Sequence, residues 1–142
     1  MNAQGRYQKA YFDTVATQRG PFAALVKQRA VMLTTYRRDG RAVGTPVNIA
    51  VESDHAYIRT WDSAWKTKRI LRNPEVELAP CTMSGKLTGP SMHARAHLIE
   101  GVEAKHAAGL IERKHRILQG IMVPLTHKLR HQKTVHFRLT AA

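Results

Sequence analysis

The stretch 30–51, "AVMLTTYRRDGRAVGTPVNIAV", decides the fold. Its first part, "AVMLTTYR" (30–37), is rich in β-branched residues and reads as a strand. "RDGR" (38–41) places Asp-Gly at the centre of a hairpin turn. "AVGTPVNIAV" (42–51) then sets Val43, Val47, Ile49 and Val51 at alternating positions, the period of a second strand. "ESDH" (52–55) turns the chain again, and "AYIRTW" (56–61) follows as a third. Three consecutive antiparallel strands joined by short turns are the economical reading.

Proline within such a strand carries information. Pro46 has no N–H for a ladder and cannot sit in a paired central strand, while Gly44 beside it removes side-chain bulk. Together they mark a bulge, an edge, or a place where backbone approaches a flat ligand.

Downstream, "WDSAWKTKRILRNP" (61–74) holds both tryptophans and four cations, Lys66, Lys68, Arg69 and Arg72. The spacing predicts a helix of about ten residues, capped by Asp62 or Ser63 and stopped by Pro74. Lys66 falls near the first turn, where free backbone N–H groups and the helix dipole favour an anion. Lys66 and Arg69 share one face, Lys68 and Arg72 another. Such a segment is a solvated basic face, a nucleic-acid contact, or a phosphate seat. Trp61 and Trp65 read as packing residues at the helix–barrel junction.

The rest of the chain continues the strand-rich pattern. "EVELAPCT" (75–82) is a strand, "SGKLTGPS" (84–91) a loop, and "MHARAHLI" (92–99) a strand with Met92, Ala94, Ala96 and Leu98 on one face. Helices are expected at 103–118 and 124–131 before a last strand, "TVHFRLT" (134–140). Nearer the start, a short helix is expected over 11–18, and "PFAALVKQ" (21–28) reads as a helix opening on Pro21 with Phe22, Leu25 and Val26 on one face. Residues 1–10 are polar and expected to fray. The order β-β-β-α-β-β-α-β points to one mainly β domain over 1–142, a closed or split antiparallel barrel with peripheral helices.

Composition bounds the partners. The 142 residues carry a formal charge of +13, which favours anionic ligands. One cysteine, Cys81, excludes an internal disulfide, and it reads as a small buried hydrophobe rather than a nucleophile. No run of residues approaches a membrane span or a signal-peptide core, so a cytoplasmic protein is expected. His127 and His131 are four apart, as are His93 and His97, but no third metal ligand has a recognisable spacing, and no metal is expected. His93, His97 and His136 read as outward or cavity-facing strand positions. No GxSxG, P-loop or GxGxxG is present, so an enzyme built on this chain would need a bound cofactor for its chemistry.

The run "VMLTTYRRDGRAVGTPVNIAV" followed by "AYIRTWDSAWKTKRILRNPEVELAPCTMSGKLTGPSMHARAHLIEG" resembles the pyridoxamine 5'-phosphate oxidase-like family of flavin and deazaflavin proteins. More narrowly, it resembles the actinobacterial branch of F-420-dependent oxidoreductases. The likeness rests on "LTT…DGR…GTPV", "KTKRI-x-RNP" and "APC…G…GP" in combination, and continues more weakly in "ERKH" (112–115) and "TVHFRLT".

The resemblance implies an FMN-binding type split β-barrel, paired as a homodimer with cofactor clefts at the subunit interface. It implies that Thr45, Pro46, Val47 and Asn48 line the flat ring, with Arg59, Thr60 and Trp61 beside it. It places the cofactor phosphate on Lys66, Lys68 and Arg69, and Pro80, Cys81 and Thr82 near the tail or ring. Two departures stand out: relatives often carry an aromatic or apolar residue at the position of Asn48, and small or flexible ones where Ala64 and Trp65 stand.

On this basis the expected activity is hydride transfer from the deazaflavin coenzyme F-420 to an unsaturated or electrophilic small molecule. FMN is the alternative cofactor, and non-catalytic binding of flavin, deazaflavin or haem the alternative role. The anionic tail of F-420 (phospholactate and glutamates) gives the positive charge a purpose that FMN, with one ribityl phosphate, needs less. Tyr36, Arg95 and Asn48 are candidate proton donors, with no catalytic residue identified. Nucleic acid is not an expected partner, since no recognition motif accompanies the charge.

Overall fold

The computed structural model describes residues 20–119 and 133–142. The expected helices at 11–18 and 124–131, the frayed start, and the pair His127 and His131 lie outside them. Seven strands form one antiparallel sheet: β1 (Ala30–Tyr36), β2 (Ala42–Val47), β3 (Ile49–Glu52), β4 (His55–Trp61), β5 (Glu75–Cys81), β6 (Met92–Ile99) and β7 (Thr134–Ala141). Among the described residues two α-helices accompany them, α1 (Trp65–Arg72) and α2 (Gly101–Gln119).

The strand order is β2-β1-β5-β6-β7-β4-β3. The two edges, β2 and β3, are consecutive in the chain with only Asn48 between them. One residue therefore joins the opposite edges of the sheet, and the sheet curls into a split barrel. This corrects the second expected strand: 42–51 is two strands, not one. Its alternation runs unbroken through the corner, but Val47 pairs with Val31 of β1 and Ile49 with Ile58 of β4.

The hairpin forms as the sequence predicts. Arg37 N–H donates to Arg41 O at 2.9 Å, and Gly40 adopts φ +86°, a backbone state that glycine takes without strain. Pro46 sits on the edge strand β2, opposite Met32, so its missing N–H breaks no second ladder. Gly44 packs against Met32: a Cβ there would stand 2.9 Å from the Met32 sulfur.

The barrel interior is filled by apolar residues from every strand, with Leu33, Ile58, Leu78, Phe137 and Leu139 fully buried. A smaller cluster lies on the outer surface, where Ile99, Ala50 and Tyr57 pack against Ala107 and Ile111 of α2. The shift between faces explains β6. Ala94 and Ala96 point inward as expected, but Leu98, near the strand's end, is 45 % exposed, and Ile99 is buried under α2 instead.

Two local expectations are corrected. The segment 21–28 is a 3-10 turn over Ala23–Leu25, not an α-helix; its bonds run three residues back, as in Leu25 N–H to Phe22 O at 2.9 Å. Phe22, Leu25 and Val26 are nonetheless all buried. Nor do Asp62 or Ser63 cap α1. Asp62 N–H extends the β4–β7 ladder by donating to Lys133 O at 2.9 Å, and Ala64 becomes the N-cap with no side-chain bond.

Candidate functional site

A cleft of about 680 Å³ opens on the outer surface of the barrel, within the size range of small-molecule sites. Pro46, Val47 and Asn48 form one wall at the β2–β3 corner. Arg59, Thr60 and Trp61 come from the end of β4, Lys66 from the first turn of α1, Thr134 and His136 from β7, and Ala108 and Glu112 from α2. Ala30 and Met83 complete the lining.

The position of Lys66 follows from how α1 is pinned. Thr60 and Thr67 share a hydrogen bond of 2.6 Å between their hydroxyl oxygens, and Thr67 Oγ1 donates to Trp61 O at 2.6 Å. Ile70 anchors the same helix in the barrel core. The helix therefore starts immediately beyond β4, its uncapped N-terminal N–H groups next to the cleft. Lys66, the second helical residue, is half-buried there. Burial first, and then the nearby Arg69, lower its pKa. A cation disfavoured by its surroundings, beside free backbone donors, is matched by an anionic ligand.

The cleft floor is polar. Arg59 Nη1 lies 3.6 Å from Glu112 Oε1, an ion pair linking β4 to α2. His136 stands opposite Arg59 across the β4–β7 ladder. Its side chain is 7 % exposed, and its Nε2 is buried without a hydrogen-bond partner. Burial, and secondarily Arg59, lower its pKa, so the ring is neutral at pH 7.

Of the site residues expected from sequence, the structure gathers Pro46, Val47, Asn48, Arg59, Thr60, Trp61 and Lys66 around one cleft. Six lie outside its lining. Thr45 alternates to the side of Leu33, and its Oγ1 is buried without a partner. Lys68 stacks over the Trp65 ring at 4.6 Å. Arg69 donates from Nε to Thr35 Oγ1 at 2.6 Å and lines a separate groove with Arg37, Arg38, Trp65 and Arg72. Trp65 is 72 % exposed there, not packed at the barrel junction as the sequence suggested, because the helix turns that face away from the core. Pro80, Cys81 and Thr82 run along the end of β5, next to Met83. Cys81 is buried, and burial pushes its thiol pKa up, which suits packing rather than nucleophilic chemistry.

Among the candidate proton donors only Asn48 lines the cleft. Tyr36 donates to Glu77 at 2.7 Å, and Arg95 pairs with Glu75 at 3.5 Å. The lining residues that sequence reasoning missed are Ala30, Met83, Ala108, Glu112 and Thr134. His136, read from the sequence as an outward or cavity-facing strand position, lines the cleft. Among the described residues no group of three or more His, Cys, Asp or Glu is arranged to hold a metal ion, and no helix is long and apolar enough to cross a membrane.

The profile of a family described as pyridoxamine 5'-phosphate oxidase matches residues 22–140, and the chain belongs to that family. Solved structures share the fold at low identity. A conserved hypothetical protein from Mycobacterium tuberculosis is 23% identical, over 83% of this chain and 76% of that one, with a TM-score of 0.61. HutZ, the heme storage protein from Vibrio cholerae, is 16% identical over 81% of this chain and 82% of that one, with a TM-score of 0.56. An F-420 reductase is 15% identical over 84% of this chain and 91% of that one, with a TM-score of 0.57. No curated protein matches the chain.

Proposed function

We propose that this member of the pyridoxamine 5'-phosphate oxidase family is a deazaflavin (coenzyme F-420)-dependent oxidoreductase acting on an unsaturated or electrophilic small molecule. The observation that carries the reading is the pairing, in one cleft, of a wall at the Pro46–Asn48 corner with Lys66 at an uncapped helix end. The wall suits a planar ring, and the helix end suits a phosphate. When bound, the deazaflavin supplies hydride; the chain supplies orientation and shelter from water.

The preference for F-420 over FMN rests on charge. A second cationic groove, lined by Arg37, Arg38, Arg69 and Arg72, lies along α1 from the cleft. Among the described residues none of these four arginines forms an ion pair, and Asp39, which pairs with Arg41, is the acidic group whose charge reaches Arg37. One phosphate does not use so much positive charge, whereas a tail of several carboxylates does.

The working unit in this reading is a homodimer with the clefts at its interface. Trp61 and Met83 give the cleft an exposed apolar rim. Such a rim suits burial against a second copy.

Turnover tests the reading. The protein is mixed anaerobically with reduced F-420 and a panel of enones and quinones, and reoxidation is followed by absorbance. Reoxidation that depends on both protein and acceptor is expected. Tight cofactor binding with no acceptor ever reduced would make the protein a carrier and overturn the enzymatic part.

A further inference from the structure

The cleft holds a polar end that neither the ring wall nor the phosphate seat uses. Arg59 and His136 are cross-strand partners on β4 and β7, and Glu112 reaches down from α2 to Arg59 at 3.6 Å. His136 is more than nine-tenths buried, lines the cleft, and leaves Nε2 without a partner. A buried imidazole nitrogen left bare is costly unless a hydrogen-bond partner meets it. His136 lines the cleft although Nε2 itself is covered, so a partner from the cleft meets it when the ring turns toward that side.

Arg59 presents a planar fork of five donors, and a single long contact with Glu112 leaves most of them available. The neighbouring Ala108 and Thr134 are small and leave room above the pair. A neutral imidazole and a guanidinium set side by side match an sp² oxygen, as in a carboxylate or a conjugated carbonyl. An amine or other cation would face Arg59 and Lys66 and be repelled.

We propose that the Arg59–His136–Glu112 end of the cleft is the substrate subsite, taking the carboxylate or conjugated carbonyl oxygen of a small organic molecule. Arg59 and His136 donate to that oxygen, and Glu112 holds the guanidinium in place. The assignment rests on the reading of the cleft as a cofactor site, since the substrate would lie beside the ring, and it narrows the substrate class.

The test uses full-length protein labelled with ¹⁵N at histidine, the His136 signals being assigned by their loss in His136→Gln. Benzoate, benzamide and toluene are titrated with and without F-420. Benzoate and benzamide should move the His136 ring signals and toluene should not, and benzoate should bind alongside F-420. His136→Phe should weaken benzoate at least about tenfold, while His136→Gln, which keeps an N–H, should stay within about threefold. If the Phe variant does not fold, Arg59→Met takes its place, with the same tenfold loss expected.

Unmoved His136 signals, wild-type benzoate affinity in His136→Phe or Arg59→Met, or displacement of benzoate by the cofactor would overturn the subsite. The two readings fail separately. F-420 binding with silent His136 signals removes the subsite alone, whereas benzoate binding at His136 without any cofactor binding leaves an organic-acid site and removes the oxidoreductase reading.

Discussion

Lys114 Nζ donates to the Ile49 carbonyl at 2.7 Å, so α2 grips the first residue after the β2–β3 corner. The lysine is 1 % exposed, and burial pulls its pKa down to about 7. In the unfolded chain the same amine keeps its proton until about pH 10.4. Between those values the unfolded state binds more protons, so the lysine's contribution to stability rises with pH from about 7 toward 10 and is flat and lowest below 7. Denaturant melts across this window should show the rise, and Lys114→Met should flatten it. A wild-type curve as flat as the variant's would mean that the lysine is not buried in solution.

Thr67 holds α1 to β4 through two bonds, to Thr60 and to the Trp61 carbonyl. Thr67→Val keeps the shape and removes both, leaving the buried Thr60 hydroxyl unmet while the Trp61 carbonyl keeps only the Ala64 N–H, at 3.1 Å. A loss of about 1–3 kcal/mol is expected in denaturant unfolding, with weaker F-420 binding because Lys66 loses its fixed position. Full stability in the variant would contradict the pinning role.

Phe137 fills the barrel interior from β7. Phe137→Ala should cost about 3–5 kcal/mol in the same assay. A cost below about 1 kcal/mol would place the side chain outside a packed core.

Lys66 and Arg69 share a helical face in sequence but separate in space. Lys66 enters the cleft, while Arg69 is bound to Thr35. Lys66→Ala should therefore weaken the cofactor more than Arg69→Ala. Losing one charge-assisted bond, about 1.5–3 kcal/mol, corresponds to roughly 10- to 150-fold in affinity. The opposite order, read by isothermal titration, would move the phosphate to the arginine groove.

What the sequence made legible was local. The Asp-Gly hairpin, the edge position of Pro46 and the placement of Lys66 near a helix start all follow from the chemistry of a few adjacent residues. The corner at Asn48 was hidden because Val47, Ile49 and Val51 keep a perfect alternation through it, and periodicity reports side-chain facing, not the partner strand. The false cap at Asp62 arose because its bond to Lys133, a residue far along the chain, keeps it in the β4–β7 ladder, two residues before the N-cap at Ala64. The cleft floor was hidden for the same reason. Arg59, Glu112 and His136 come together only through the β4–β7 register and the packing of α2, and no spacing between them announces it.

The central claim is that the cleft binds a deazaflavin by its ring and phosphate. Fluorescence titration of the purified protein with F-420 and with FMN tests it most directly. The account predicts saturable F-420 binding in the micromolar range or tighter, stronger than FMN and weakened by Lys66→Ala. Failure of both cofactors to bind at micromolar concentrations, or F-420 affinity untouched by that substitution, would contradict it.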